Sequence, residues 1–328
     1  MNYAIVGCGL IGKKRLAALP AGSKLVVACD TNLARAQALV ESAGTGRAVA
    51  DFNEAISTAS VDAVIVATMN STLAEISGTA IRSGKHVLVE KPAGISVREV
   101  ETLMVLEQKH GVCVRVGFNH RFHPALLKAR EIFESGVVGN LMFIRGRYGH
   151  GGRVGYDREW RADPKLAGGG ELIDQGIHLI DLAGWFLGGF TRVEGHVQTY
   201  FWDMPVDDNA FLDLQTAAGQ TAWLHVSCTE WKNLFSFEIY GRNAKLYIDG
   251  LGGSYGLERL FHYQMKPEMG IPETRTYEFP GPDESWRNEM TAFENDVRLN
   301  RKSDAGLVQV RDALQIVEAI YDRTPRKM

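Results

Sequence analysis

Cysteine is scarce in this 328-residue chain, with four residues, Cys8, Cys29, Cys113 and Cys228, and no Cys-x-x-Cys pair among them. That spacing gives no zinc-thiolate site and no dithiol redox motif, and no metal is expected. Buried thiols in a reducing cytoplasm are the expectation. Long apolar runs are also missing, since none approaches the roughly 18 residues that a membrane span needs. The start, Met1-Asn2-Tyr3-Ala4-Ile5-Val6, lacks the basic region and apolar segment of a signal peptide. Nor is there an excess of positive charge: 36 Lys and Arg stand against 39 Asp and Glu, for a net charge of −3. A duplex-binding chain normally carries a basic surplus, so nucleic acid is not an expected partner. Internal repeats and low-complexity tracts are absent.

What is present is a regular alternation. The length suggests two domains. The apolar run Tyr3 to Val6 leads into Gly7-Cys8-Gly9-Leu10-Ile11-Gly12 and then a helical pattern. In such a strand–turn–helix unit, glycines let backbone N–H groups approach a pyrophosphate, and the helix N-terminus favours its charge. A second apolar run, Lys24 to Cys29, ends in Asp30, about 20 residues on, where an acid can bond the adenosine ribose hydroxyls. Thr31 and Asn32 follow it, so no adjacent base greets a ribose phosphate and NAD is favoured over NADP, although Arg35 could still reach. Further strands and helices alternate as far as Val112–Val116, which implies a doubly wound parallel sheet with its ligand at the carboxyl ends of the strands. Thr68 and Asn70 stand at one such end, and Glu90-Lys91-Pro92 at another. There Lys91 would project into a cofactor crevice, unless it is an ordinary solvated lysine.

After Gly117-Phe118-Asn119-His120-Arg121-Phe122 the pattern changes to strands in succession: 141–148, 193–201, 207–216, 221–228, 235–240 and 245–248. That is a mostly antiparallel sheet in a second domain, and the boundaries expected are 1–118 and 119–328, with closing helices at 285–299 and 306–321 that can pack back on the first domain. Between the first two of those strands lies Gly168-Gly169-Gly170, followed by Glu171, Asp174, Gln175, His178 and Asp181 at helical spacing. Asp174 and His178, one turn apart, suit a carboxylate that orients an imidazole acting as general base. The same pattern also describes a solvated acidic stripe on a surface helix.

Taken together, the glycine turn, Glu90-Lys91-Pro92, Trp160-Arg161 and the run from Gly168 to His178 resemble the glucose-fructose oxidoreductase / inositol dehydrogenase / MocA family of nicotinamide-dependent oxidoreductases over essentially the whole chain. The resemblance implies a Rossmann domain followed by an α+β domain with a large open sheet. It implies Lys91, Asp174 and His178 around the reacting carbon, with His178 taking the hydroxyl proton, Lys91 polarising the oxygen and Asp174 orienting. It implies NAD held by Gly7, Gly9, Leu10, Ile11, Gly12, Asp30, Thr68, Asn70, Glu90, Lys91 and Asn119, with Glu90 on the nicotinamide ribose. Family members commonly carry proline where Met69 stands and histidine where Leu73 stands, which leaves the contacts near these two positions open. Asp181 is expected to be structural.

From Arg145 to Arg161 five arginines face two acids, +3 over 17 residues. Loops of this kind line clefts, and arginine suits carboxylates and phosphates. An anionic sugar, a nucleotide sugar or a uronate fits that charge, while Arg145 and Arg158 fit surface ion pairs equally well. Tyr148, His150, Arg153, Tyr156 and Arg161 are the substrate candidates beside Lys91, Asp174 and His178, with His225 and Trp231 added from the sheet. The expected activity is NAD-dependent oxidation of a secondary hydroxyl of a sugar, polyol or nucleotide sugar in a homodimer or homotetramer, for which Trp202, Trp223 and Phe237 are candidate contact residues. An NAD-retaining glycosidase and a nicotinamide sensor are the alternatives.

Overall fold

The computed structural model describes residues 1–324, so that the last four residues of the second expected domain, 325–328, lie outside the described residues. The chain divides into two compact units, one of residues 1–118 and 286–314, the other of residues 119–285 and the remainder from Gln315.

In the first unit, strands and helices alternate as β1 (Asn2–Val6), α1 (Leu10–Ala17), β2 (Lys24–Cys29), α2 (Leu33–Ala43), β3 (Arg47–Val49), α3 (Phe52–Ile56), β4 (Ala63–Val66), α4 (Asn70–Arg82), β5 (His86–Val89), α5 (Val97–His110) and β6 (Val114–Val116). The six strands are all parallel in the order β3-β2-β1-β4-β5-β6. Strands such as Ala63–Val66 are buried at every position, which is why they read as unbroken apolar runs rather than alternating ones. Helix ends are set locally. The Asn32 side chain accepts the Ala34 N–H to start α2, Ser96 accepts from Glu99 to start α5, and left-handed Gly44 and Gly111 close the two helices. The strand order reverses between β1 and β4, the switch point beside which α/β sheets hold ligands.

In the second unit a 3₁₀ turn at Asn119–Phe122 precedes α6 (Pro124–Glu134), β7 (Leu141–Gly149), the short α7 (Pro164–Ala167), a π-helical turn at Leu172–Gly176 and α8 (Ile177–Leu187). Then come β8 (Phe190–Gln198), β9 (Asn209–Thr216), β10 (Thr221–Ser227), β11 (Leu234–Gly241), β12 (Ala244–Asp249), β13 (Glu258–Gln264) and β14 (Glu273–Phe279). These form an eight-stranded sheet, β14-β13-β12-β11-β7-β10-β9-β8, antiparallel except for the β7–β10 pair. One face packs on α8. A side-chain carbon on Gly146 would meet Leu224, Phe237 and Leu179 at 3.0 to 3.4 Å, so glycine there admits the helix. Phe237 is therefore core rather than a contact surface, while Trp223, 47% exposed, stands on the opposite face with Arg145 and Lys245.

Three strands escape the sequence pattern. β3 has three residues, and the partly exposed β14 carries Glu273, Arg275 and Glu278 in place of an apolar alternation; in β13 beside it two of the three buried alternate positions, Glu258 and His262, are polar. The strand expected at 193–201 stops at Gln198. Beyond it the backbone turns because the buried Asp208 carboxylate accepts the N–H groups of Tyr200, Phe201 and Trp202 at 2.9, 2.7 and 3.1 Å.

α9 (Ser285–Arg298) and the first half of α10 (Leu307–Arg323) complete the first unit, apart from Ser285 itself. α9 is tied there by charge. Arg15, on α1 and fully buried, pairs with Glu90 and Glu289 at 2.6 Å each, and Arg115 pairs with Asp296 at 2.5 Å. All four cysteines are unbridged and buried, and burial pushes the Cys8 and Cys113 thiols up to about 12. Among the described residues no helix is long and apolar enough to cross a membrane, and no group of three or more side chains is arranged to hold a metal ion.

Candidate active site

The residues singled out from the sequence fall in both units. In the first, Gly7-Cys8-Gly9-Leu10-Ile11-Gly12 makes the turn from β1 into α1. Gly7 has φ of +96°, and a side-chain carbon on it would lie 2.3 Å from the Ala67 carbonyl; one on Gly12 would lie 2.0 Å from the Gly7 carbonyl. These two glycines close the turn against protein. Gly9 differs, because a carbon there would meet nothing within 4 Å, and no side chain caps the helix that it starts. The first N–H groups of α1 are thus left without a side-chain cap, which suits them to a pyrophosphate. Leu10 is exposed and Ile11 half-buried beside it.

Asp30 ends β2 with each carboxylate oxygen already oriented: Cys8 N–H donates to Oδ2 and Asn32 N–H to Oδ1, both at 2.9 Å. Its remaining lone pairs suit ribose hydroxyls, and its charge opposes a ribose phosphate. The arrangement therefore fits NAD on its own geometry. Thr68, whose hydroxyl accepts from Thr72 at 2.8 Å, and Asn70 stand where β4 passes into α4. Met69 stands exposed at the N-cap position of that helix, where its side chain makes no cap bond, and Leu73 is core. Glu90 follows β5 and is buried against Arg15, and Lys91 comes next, half-buried, before a cis peptide to Pro92.

In the second unit the glycine run has a clear cause. Gly168 is left-handed, closing α7, and side-chain carbons on Gly169 and Gly170 would fall 2.2 Å from the Tyr321 hydroxyl and 2.0 Å from the Asp207 carbonyl. The buried Asp207 carboxylate accepts Gly170 N–H, Leu172 N–H and the Tyr321 hydroxyl at 2.8 to 2.9 Å. Burial raises this carboxyl to about 6 despite those bonds. So anchored, the chain enters a π-helical turn, a form frequent at functional sites, in place of the regular α-helix read from the spacing. Asp174 sits within that turn and His178 in the first turn of α8.

Glu171, Asp174, His178 and Asp181 are all buried, which excludes the solvated-stripe reading. Asp181 is closed in a two-bond pair with Arg121, each bond 2.7 Å, as a structural residue would be. Asp174 pairs with Arg161 at 3.1 Å. Glu171 accepts the Tyr156 hydroxyl at 2.7 Å and lies 3.5 Å from His150 Nε2. Burial pulls the His150 imidazole down, but Glu171 outweighs it and the net direction is up. Burial raises the Tyr148 and Tyr156 hydroxyls, with Tyr255 and then the Asp174 and Glu171 charges adding to it at Tyr148 and the Glu171 and Asp174 charges at Tyr156, which keeps both phenols neutral. Tyr148, His150, Tyr156, Arg161, Asp174 and His178 thus share one neighbourhood.

Three sequence candidates stand outside that group or at its edge. His225 alternates with Leu224 and Val226, whose side chains face the helical layer, so its ring stands on the other side of the sheet, stacked on Phe211 at 4.4 Å and bonded to Asn209. Arg153 makes two bonds to Glu159 on an exposed loop and rests over the outer side of Tyr156. Trp231 is 74% exposed. What sequence reasoning missed is His120. Its ring stacks on His178, and the only signal was a polar Asn119-His120-Arg121 run where the first alternation ends.

Residues 1–118 match the model of an oxidoreductase family with an NAD-binding Rossmann fold, and residues 126–247 match the GFO/IDH/MocA C-terminal domain. Inositol 2-dehydrogenase 2 of Saccharopolyspora erythraea is 30% identical over 192 residues, 57% of this chain and 54% of that protein. The match thus spans about half the length of that relative. The scyllo-inositol 2-dehydrogenase (NAD(+)) of Bacillus subtilis is 28% identical over 273 residues, 80% of this chain and 75% of its own. A solved levoglucosan dehydrogenase, in complex with NADH and levoglucosan, superposes with a TM-score of 0.89 at 22% identity, covering 98% of this chain and 96% of its own, a likeness of fold.

Proposed function

Because the chain belongs to the GFO/IDH/MocA family of oxidoreductases and carries its NAD-binding Rossmann domain, we propose that it is an NAD-dependent dehydrogenase moving a hydride between a secondary hydroxyl of a sugar or polyol and the cofactor. The observation that carries this reading is His178, a buried imidazole directly after the π-helical turn that holds Asp174. Oxidising an alcohol to a ketone requires removal of the hydroxyl proton as hydride leaves carbon. His178 takes that proton. Lys91 hydrogen-bonds the same oxygen, stabilising alkoxide character or, in reverse, polarising the carbonyl. Asp174, held by Arg161, orients the imidazole or a neighbouring sugar hydroxyl. The bound NAD supplies the hydride acceptor. Gly7, Gly9, Leu10, Ile11, Gly12 and Asp30 hold its adenosine diphosphate, and Thr68, Asn70, Glu90, Lys91 and Asn119 its nicotinamide half.

The class of substrate is supported by the relatives, two of which are named for inositols and one for levoglucosan. Arg153 and Arg161 are each met by a carboxylate, so the loop offers less unbalanced charge than its sequence suggested. A neutral sugar or polyol therefore ranks ahead of a uronate or nucleotide sugar. The sheet face that carries Trp223, Tyr240 and Phe261 is the surface for a homodimer or homotetramer. The four buried thiols suit the cytoplasm.

Nicotinamide absorbance, followed after mixing the protein with NAD or NADP and a panel of polyols, aldoses, uronates and nucleotide sugars, tests the reading. Reduction of NAD with one class is expected, with kcat reduced about 10²-fold or more in His178→Ala. Protein that binds NAD yet reduces none of it with any compound would favour a retained-cofactor glycosidase or a sensor instead.

A further inference from the structure

His120 and His178 lie face to face. Their ring centroids are 3.8 Å apart and their planes 21° from parallel, and both residues are buried. The two rings come from different elements, one from the 3₁₀ turn at Asn119–Phe122 and the other from α8. The His120 ring is itself oriented. Ser285 donates its hydroxyl hydrogen to Asp283 at 2.5 Å, which leaves Oγ to accept from the Asn119 side-chain N–H at 2.9 Å. That fixes the amide so that Asn119 Oδ1 faces His120 Nδ1 at 3.3 Å, and Nδ1 carries the hydrogen that it donates. Tyr148 meets the same ring edge-on at 5.1 Å and His123 meets it at 5.7 Å.

This packing answers a problem that helix geometry leaves open. A helix restricts χ1 of His178, but the terminal torsion of an imidazole is broad, so the plane of the ring is not set by the backbone. A base must present its lone pair to the hydroxyl within a narrow range of distance and angle. A second ring laid flat against it removes that freedom. We infer that His120 is a positioning residue for His178: an aromatic wall, oriented by the Asp283–Ser285–Asn119 chain of hydrogen bonds, that holds the imidazole plane for proton transfer. The inference rests on the reading of His178 as the proton acceptor.

The test uses His120→Ala, His120→Phe and Ser285→Ala in the full chain, with the substrate class that the absorbance panel identifies. His120→Ala should lower kcat about 10- to 100-fold, with little change in KM or in NAD affinity by fluorescence titration. His120→Phe, which restores a flat ring, should recover most of that loss, and Ser285→Ala should cost only a few-fold. A histidine-ring NMR spectrum gives a readout independent of turnover. The His178 ring protons, identified by their absence in His178→Ala, should lose their ring-current shift in His120→Ala and largely regain it in His120→Phe. Unchanged kcat in His120→Ala, or a His120→Phe protein that folds yet works no better than His120→Ala, would overturn the positioning role. If His178→Ala itself turns over like the parent, the proposed function is what fails. If only His178→Ala is inactive, the function stands and the inference alone falls.

Discussion

In the first unit the buried charges are closed on one another, Arg15 against Glu90 and Glu289 and Arg115 against Asp296, whereas in the second Glu171, Asp174 and His178 are set among phenols, a half-exposed arginine and a stacked imidazole. The difference follows from what each has to do. Holding a dinucleotide falls to backbone N–H groups and glycines, so the side chains around that turn are available for cross-bracing. On the proposed function the second unit moves a proton, and there Glu171 and His178 lie among hydrogen-bonding and aromatic groups while Asp174 meets an arginine that is only partly buried. On that proposal one unit offers a rigid cradle, the other a set of oriented exchangeable groups.

The comparison breaks most visibly at the bracing. Replacing Glu289 by alanine leaves fully buried Arg15 with only Glu90, and a loss of about 3–5 kcal/mol in urea unfolding is expected, the usual cost of breaking a buried pair. If the loss is negligible, the closed network is not what holds α9 to the sheet. Next comes the glycine turn, where two positions should separate stability from binding. Gly12→Ala forces a carbon against the Gly7 carbonyl and should cost about 1–3 kcal/mol as well as NAD affinity. Gly9→Ala meets no protein atom, so its melting temperature should stay near the parent's while NAD binding weakens. Equal effects of the two on melting would remove the distinction between closing and cradling glycines.

In the second unit, Tyr156→Phe deletes the donor to Glu171 and should cost about 1–2 kcal/mol, read by the same unfolding experiment. The smallest effect sits on the sheet's outer face. Burial pushes the Glu238 carboxyl up, but hydrogen bonds from Lys245, Tyr240 and Arg145 outweigh it and bring it down to about 2. Because the folded value is the lower one, this group stabilises above the ordinary carboxylate value of 4.5, and that contribution is lost as pH falls toward 2. Glu238→Gln should therefore flatten the acid side of a stability-versus-pH curve over that window without altering turnover at neutral pH.

Much of this was legible before the fold. Apart from the three-residue β3, the period of apolar residues marked the helices and strands of the first unit to within a few residues of their ends, because parallel strands buried on both faces read as unbroken runs and caps such as Asn32 and Ser96 act within three residues of themselves. The stretch from Gly168 to His178 stood out for its glycines and its carboxylate–histidine spacing. Its meaning did not. The glycines are there because Tyr321 and Asp207 press against them, from 152 and 37 residues away along the chain. β14 was invisible because a strand of exposed charged residues has no apolar alternation to show. His225 was misplaced because periodicity tells which residues share a face and not which face meets the site.

Local pattern alone was enough for most of the alternating first unit, the glycine turn into α1, the acid at the end of β2 and six of the eight strands of the second sheet, since each depends on residues a few positions apart and on the freedom of glycine. Tertiary structure decided the π-helical turn under Asp174, the pairing of Arg161 with that carboxylate, the buried Arg15–Glu289 contact across 274 positions and the stacking of His120 on His178. Such contacts join side chains from separate elements, and no periodicity along a chain records which distant ring or charge will fill the space beside a given residue once the core has closed.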